Sequence, residues 1–450
     1  MLLNPAHWLP RERKIAITGI AGGGKTVFLT SLLSHLAEHD PDHFVFGQHA
    51  RARDFRELAF RAGYGGPFRL ERARDNLSRR QSWPAKTRDC SHFRCEFRRS
   101  DQRFSRQRLH FFDLPGERIA DAAIAACESY AEWSDHTIKH LEDRSSYADA
   151  AGDYLALQKF KELDEELLLR TYRETLAKLI LGFKPLVAPS TFLLDPLGDT
   201  PKGQTIEELA GERLSGLEPE GGNPGEFAPM AARARKRFPE LATRMTRAYR
   251  RYRRELALPV FGELREAERL IVLVDIPSLL LGGDGRYNDN RQMLDDLFEA
   301  LRPGSLLGAR LLGLLGIKLW PLERVAFVAS KADMVLPEDV ENGRLVGLLR
   351  GMADRSRHKI PGVRCEWFAA SACVSTRSGH ESNTLIGRPG HQPADAAELE
   401  FEVSRLPETW PRAWEPGEYA FYRVHPNAPR NLQIPPPHLG LDRVFDFIAG

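Results

Sequence analysis

Residues Gly19-Ile20-Ala21-Gly22-Gly23-Gly24-Lys25-Thr26 place glycines, a lysine and a hydroxyl at the spacing of a loop that cradles phosphate groups. Glycines let successive backbone N–H groups curl inward around phosphate oxygens. A helix that follows adds the positive end of its dipole. On this reading Gly19, Ala21, Gly22, Gly23, Gly24 and Val27 line a nucleotide, Lys25 reaches its β- and γ-phosphates, and the Thr26 hydroxyl coordinates Mg²⁺.

Three further stations follow in chain order. Asp113-Leu114-Pro115-Gly116-Glu117 comes directly after the apolar run LHFF. An aspartate at such a strand end can hold Mg²⁺ through water, and the Gly116 N–H can turn toward a γ-phosphate. That contact exists only while the γ-phosphate does, so the loop can report nucleotide state. Ser330-Lys331-Ala332-Asp333 ends a second apolar run. A carboxylate at Asp333 accepts from both the ring N–H and the exocyclic amine of guanine, a donor pair adenine lacks, and sites of this kind discriminate by roughly 10⁴. Lys331 can lay its stem over the purine face. Ser371-Ala372 follows CEWFAA, and a backbone N–H there reaches for the guanine oxygen. Alone, D-x-x-G is a common turn and Ser-Ala has almost no specificity; their order and position carry the reading.

Between the first loop and the first returning strand lies Trp83-Pro84-Ala85-Lys86-Thr87-Arg88. Thr87 is the candidate to complete Mg²⁺ coordination, and Arg88 or Lys86 to supply positive charge to a transition state. Lys25, Thr87, Gly116 and Glu117 are the candidate catalytic positions. Two features depart from the common pattern. Glu117 stands where a water-orienting glutamine is usual, and a carboxylate there repels a γ-phosphate, so slow intrinsic hydrolysis is expected. Ser330 replaces the usual Asn or Thr.

The elements that must position these residues are legible from periodicity. KIAIT reads as a strand and VFLTSLLSHLAEH as the helix after the glycine loop. Residues 51–80, rich in arginine, read as mixed helix and loop. HFRCEFR and RLHFFD read as strands joined by a turn near Ser100 and Asp101. From about 118 to 184 the pattern is helical, clearest in DEELLLRTYRETLAKLILGF, and it resumes after a Gly/Pro-rich loop at 211–229. Strand-like runs return at 269–275, 324–330 and 365–370. Residues 380–437 read as a proline-rich surface excursion with one strand-like piece, YAFYRV, before a closing helix in HLGLDRVFDFIAG. The pattern predicts a three-layer α/β domain of the P-loop NTPase, GTPase-like class, in parts 1–117 and 266–450, interrupted by an all-helical insertion at 118–265.

In motif order the chain resembles the translation-factor-like and Ras-like GTPases. It is more closely similar to the bacterial YcjX family of P-loop proteins, through its glycine-rich loop, WPAKT, DLPGE, VASKAD and the large helical insertion. That resemblance covers most of the chain. It implies a protein that binds GTP and GDP with Mg²⁺, hydrolyses GTP slowly and is associated with envelope or general stress, through a protein partner it does not name.

Composition narrows the rest. A formal net charge of only +2 over 450 residues sets up no global field for nucleic acid or membrane. The five cysteines show no metal-ligand spacing and are expected as reduced thiols of a cytosolic protein. The N-terminus lacks the order of a signal peptide, and no stretch reaches the ~18 apolar residues of a spanning helix. The run Leu306–Trp320 is broken by Arg310 and Lys318 and is expected as a buried or interfacial helix. Cytoplasmic localisation, with peripheral association at the inner membrane as an option, is the expectation. Ten basic residues between Arg233 and Arg254 suit an anionic surface or a solvated face paired with Asp164–Glu166, and specific nucleic-acid binding is not expected. Two rival classes stay open: an ATP-driven P-loop enzyme, and a nucleotide-binding interaction protein with little turnover.

Overall fold

A computed structural model of the chain describes residues 12–19, 22–38, 44–47, 50–60, 65–84, 90–101, 106–114, 116–142, 147–183, 226–302 and 321–450. Two compact units emerge. One comprises Met1–Gly116, Glu263–Asp284 and Pro303–Gly450, and the other Glu117–Gly262 and Gly285–Arg302. The fold is α/β, built on a mixed sheet with many helices. No helix among the described residues is long and apolar enough to cross a membrane.

The first unit is organised by an eight-stranded sheet. Its strands are β1 (Glu12–Gly19), β2 (Ala52–Leu58), β3 (Gly66–Pro67), β4 (Ser91–Arg99), β5 (Arg106–Asp113), β6 (Arg269–Val274), β7 (Arg324–Ala329) and β8 (Arg364–Ala369). Their spatial order is β2-β4-β5-β1-β6-β7-β8, with β3 beside β4. The five strands β5, β1, β6, β7 and β8 run parallel, whereas β4 is antiparallel to both β5 and β2.

Alternation along these strands sets the two faces. Ile15 and Ile17, Leu109 and Phe111, Ile271 and Leu273, and Ala326 and Val328 point into one cluster. Helix α1 (Lys25–Glu38) enters it with Phe28, Leu29, Leu32, Leu33 and Leu36. On the opposite face Trp367 stacks on Phe327 with ring centres 5.8 Å apart, and Arg350 and Arg357 of a helix at Arg344–His358 lie over Trp367. Helices therefore cover both faces, as a parallel sheet requires. The closing helix, Leu441–Ala449, buries Leu441, Val444, Phe445, Phe447 and Ile448 against the first cluster.

Two segments differ from the sequence reading. Residues 51–80 contain strand β2 as well as a helix at Leu70–Ser78. The register of β2 shifts between Arg53 and Arg56, and Asp54 takes a left-handed φ of 54°. A bulge of this kind puts Ala52, Phe55 and Leu58 at spacing three, so the strand imitates a helix in sequence. YAFYRV forms no strand; it makes a single bridge, Val424 to Pro389. The strands of the 380–437 region lie elsewhere, at Thr384–Gly387 and Leu399–Glu402, in a three-stranded antiparallel sheet with Thr376–Ser378. Nor is that region only a surface excursion. Leu406, Trp414 and Val424 are buried, and the Trp414 Nε1–H donates to the Leu280 carbonyl at 2.9 Å. The expected helix at 306–320 lies outside the described residues.

The second unit is helical, with principal helices at Tyr130–Glu142, Ala148–Leu157, Glu165–Phe183 and Pro239–Tyr252. Trp133, Phe227, Tyr249 and Tyr252 form its buried aromatic centre, in which the Trp133 and Phe227 rings meet edge to face at 5.1 Å.

Phe445 tests whether the closing helix is integral to the first unit. Its ring lies 5.0 Å from Phe46 and 5.6 Å from Phe44, centre to centre. Phe445→Ala is expected to cost ~3–5 kcal/mol in urea unfolding; a loss below ~1 kcal/mol would mean that the helix is a peripheral appendage.

Candidate functional site

Because β5, β1, β6, β7 and β8 are parallel, their C-terminal ends share one edge of the sheet. Gly19 ends β1 and Asp113 ends β5; Asp275 follows β6, Ser330 follows β7, and Ala370 and Ser371 follow β8. Strand β1 is the reversal point of the topology, with β5 on one side and β6 on the other. Open α/β sheets hold ligands outside the carboxyl ends of the strands at such a point.

The glycine loop at this point is built from backbone requirements. Gly19 has φ +145°, and a Cβ there would stand 2.2 Å from the carbonyl oxygen of Leu273, its register partner on β6. Gly22 and Gly24 both have φ +82°, in the left-handed range that glycine adopts freely. The Phe28 N–H then bonds the Gly24 carbonyl at 2.8 Å and opens α1. Lys25 is buried, and its Nζ donates to the Gly19 carbonyl at 2.9 Å, so the ammonium folds back across the loop. Val27 packs on a small apolar cluster of Leu77, Cys373 and Ala428. That contact ties the start of α1 to the loop after β8.

Asp113 is fully buried; it pairs with Ile17 in register, and the Leu114 N–H bonds the Ile17 carbonyl at 3.0 Å. Gly116 is buried at the start of a 3-10 turn, Gly116–Asp121. Ala21, Lys86, Thr87 and Arg88, and the side chain of Glu117, lie outside the described residues.

At the β7 end, Lys331 adopts φ +60° and ψ +40°, a left-handed conformation unusual for a side chain of this kind. Its ammonium is ion-paired with Asp275 Oδ2. Asp275 also caps the helix Ile276–Leu281, accepting from the Ser278 N–H at 3.1 Å and the Ser278 hydroxyl at 2.6 Å. Burial pushes the Asp275 carboxyl up, but Lys331 and the two Ser278 bonds outweigh it and leave the pKa below the ordinary value. Sequence reasoning did not single out Asp275. Its signal was an aspartate ending the apolar run RLIVLVD, the same signal that pointed to Asp113.

Asp333 is brought against the loop after β8. Its Oδ2 accepts from the Ser375 N–H at 2.8 Å, and its backbone carbonyl accepts from the Thr376 hydroxyl. Burial raises its pKa despite the bonds from Ser371 and Ser375. The Ser330 N–H bonds the Val274 carbonyl at 2.9 Å, and the Ala332 N–H bonds the Ala370 carbonyl at 3.2 Å, locking the two loops together. The Ser371 N–H is already donated to the Leu439 carbonyl at 2.9 Å. Of the pair Ser371-Ala372, the Ala372 N–H is the one with no hydrogen bond among the described residues.

These features define a class: an α/β protein whose switch-point strand runs into a glycine-lysine loop and helix, with carboxylates at neighbouring strand ends. The chain belongs to the YcjX-like family, DUF463, whose profile matches residues 13–201 and 216–450. It is similar to the Ras-like GTPase YcjX of Shewanella oneidensis, at 24% identity over 98% of this chain and 94% of that protein. It is also similar to the Ras-like GTPase YcjX of Escherichia coli K12, at 21% identity over 98% of this chain and 96% of that protein.

The two carboxylates predict opposite pH signatures in the ligand-free protein. Asp333, with its pKa raised, contributes its full stability in acid and loses it as pH rises through the folded value. Asp333→Asn keeps an oxygen for the Ser375 N–H. It is expected to raise Tm at neutral pH and to have its smallest effect in acid. Asp275, with its pKa lowered, contributes stability at neutral pH that is lost as pH falls through the folded value. Asp275→Asn is expected to cost about 1–2 kcal/mol near neutrality, discounted because the Lys331 side chain is partly exposed, and to converge with the parent toward acid. Thermal melts across pH check both, and differences that stay constant with pH would contradict the assignments.

Proposed function

We propose that this protein is a guanine-nucleotide switch that binds GTP with Mg²⁺ and hydrolyses it slowly. The observation that carries the reading is the gathering of the glycine-lysine loop, Asp113, Asp333 and Ala372 at one carboxyl edge of the sheet, beside the strand where the topology reverses. The names of the two relatives, Ras-like GTPase, favour the same reading.

The residues suit a triphosphate. Gly22 and Gly24 leave the loop free of Cβ atoms where a phosphate must approach the backbone, and the 14-residue helix α1 begins there with its positive end. Lys25 exchanges the Gly19 carbonyl for phosphate oxygens. Thr26 and Asp113, with Thr87 as the expected third, would supply hard-oxygen ligands appropriate to Mg²⁺. The metal, when bound, neutralises charge on the phosphate oxygens.

Base choice follows from Asp333. Its carboxylate is held by Ser375, and guanine offers that carboxylate two donors. The Ala372 N–H, rather than that of Ser371, meets the guanine oxygen, and the Lys331 stem covers the ring while Asp275 holds its ammonium. Gly116 and the Thr87 segment respond to the γ-phosphate. A carboxylate at position 117, if it faces the γ-phosphate as its place after Gly116 suggests, would slow intrinsic turnover by charge repulsion.

Binding of labelled GDP, GTP, ADP and ATP to purified protein with Mg²⁺ tests this. Guanine is expected over adenine by ~10⁴, with Asp333→Asn moving the preference toward xanthine. Lys25→Ala is expected to weaken GTP by about 10–100-fold, the loss of charge-assisted hydrogen bonds to phosphate. Equal affinity for adenine and guanine nucleotides would replace this reading with an ATPase, and tight GDP binding without turnover would make it a nucleotide-dependent interaction protein.

A further inference from the structure

The helix Pro239–Tyr252 of the second unit has two faces of opposite chemistry. Leu241, Met245, Tyr249 and Tyr252 are buried in the unit's core, and the Tyr249 hydroxyl donates to the carbonyls of Ile124 and Cys127 at 3.2 Å each. Away from that face, Thr243, Thr246, Arg247, Arg250, Arg251 and Arg254 line one shallow, solvent-open surface. Spacings of three and four residues put the arginines on one stripe, ~10 Å long at the helical rise.

The acidic segment Asp164–Glu166, the expected neutraliser of the basic run, reaches Arg244, which pairs with Glu165 at 2.7 Å. Within the stripe, Glu255 pairs with Arg251 at 3.2 Å and Arg254 at 2.9 Å. Arg247 and Arg250 are exposed and make no ion pair among the described residues. The Thr243 and Thr246 hydroxyls donate back to the Pro239 and Ala242 carbonyls of their own helix, at 2.8 and 2.7 Å. Arg247 and Arg250 are therefore the stripe's donors that no carboxylate meets among the described residues, and its four arginines outnumber its one carboxylate.

We propose that this stripe docks on the phosphate headgroups of an anionic bilayer. Among the described residues, all six that line the stripe come from one helical run and none stands opposite them. A small anion would be held from one side and stay hydrated, whereas a planar array of phosphates meets every guanidinium at once. Guanidinium forks suit phosphate oxygens. The helix's apolar face is already buried in its own unit, so no wedge enters the lipid and attachment is electrostatic and salt-sensitive. No aromatic side chain is among the described residues that line the stripe, and a stacking platform of the kind a single-stranded nucleic acid uses is not seen among them.

Cosedimentation of the full chain with vesicles of phosphatidylcholine, with and without phosphatidylglycerol, is the test. Retention is expected only with phosphatidylglycerol, with release by salt. R247Q/R250Q/R254Q is expected to weaken it about 100-fold, and R247K/R250K/R254K to preserve it. Unchanged nucleotide affinity and Tm in both variants show that the fold is intact. Retention unaffected by the glutamine variant would overturn the proposal. Absence of retention alongside normal nucleotide binding would assign the stripe to an acidic protein, and stoichiometric binding of free tripolyphosphate without vesicle retention would assign it to a small anion.

Discussion

Strand β1 approaches β6 so closely at its last residue that the Leu273 carbonyl fills the space a side chain at position 19 would need. The rest of the first unit is arranged around that contact. Parallel pairing on both sides of β1 brings five strand ends to one edge, and the chain must leave β1 there through a turn that L-residues adopt poorly. Glycines at 19, 22 and 24 resolve the steric problem. At 22 and 24 they also keep Cβ atoms away from the approach to the head of α1. The residues that meet the requirement of the fold are the same ones that the proposed phosphate-binding loop would need.

Charge is handled differently at the two strand ends beyond β1. Asp275 is compensated internally: a helix N-terminus, a serine hydroxyl and the Lys331 ammonium stabilise its charged form within the folded chain. Asp333 is compensated less completely, and its charged form is disfavoured by burial even with Ser371 and Ser375 bonded to it. The left-handed backbone at Lys331 lies between these two carboxylates and sends its side chain to the first, while Ser371 and Ser375 bond the second. Strain of this kind persists where surrounding bonds over-determine it, and here the Ser330 N–H is fixed to the end of β6 and the Ala332 N–H to the residue after β8.

Much of this was readable in the chain because apolar runs end abruptly in chemistry-bearing residues. KIAIT before the glycines, LHFF before Asp113 and RVAFVA before Ser330 mark the strands and their candidate functional ends together. Asp275 carried the same mark but belonged to no four-residue string, so it passed as the end of a buried strand. Strand β2 was hidden by its bulge, which converts a period of two into a spacing of three. The pair Ser371-Ala372 could not be resolved from sequence because the choice depends on Leu439, 68 residues away along the chain, which takes the Ser371 N–H. Long-range backbone pairing of that sort leaves no local trace.

The proline-rich region after residue 380 shows why its composition misled. Its prolines and polar residues suggest a solvated excursion, yet its hydrogen bonds converge on the segments that flank the candidate site. Trp83 Nε1–H donates to the Val424 carbonyl at 2.8 Å, and Arg388 donates to Gln81 Oε1 at 2.7 Å. Gln81, held at φ +50°, donates in turn to the Ala428 carbonyl. One residue before Ala428, the Asn427 N–H bonds the Ser375 hydroxyl, and the Ser375 N–H holds Asp333. The chain entering the Trp83–Arg88 stretch and the loop carrying Asp333 are thus braced by the same short piece of extended backbone. Extended backbone outside a sheet has unsatisfied N–H and C=O groups to offer along its length. That makes it suited to clamp two loops that no common strand or helix could join, and the irregular composition of this region follows from that task.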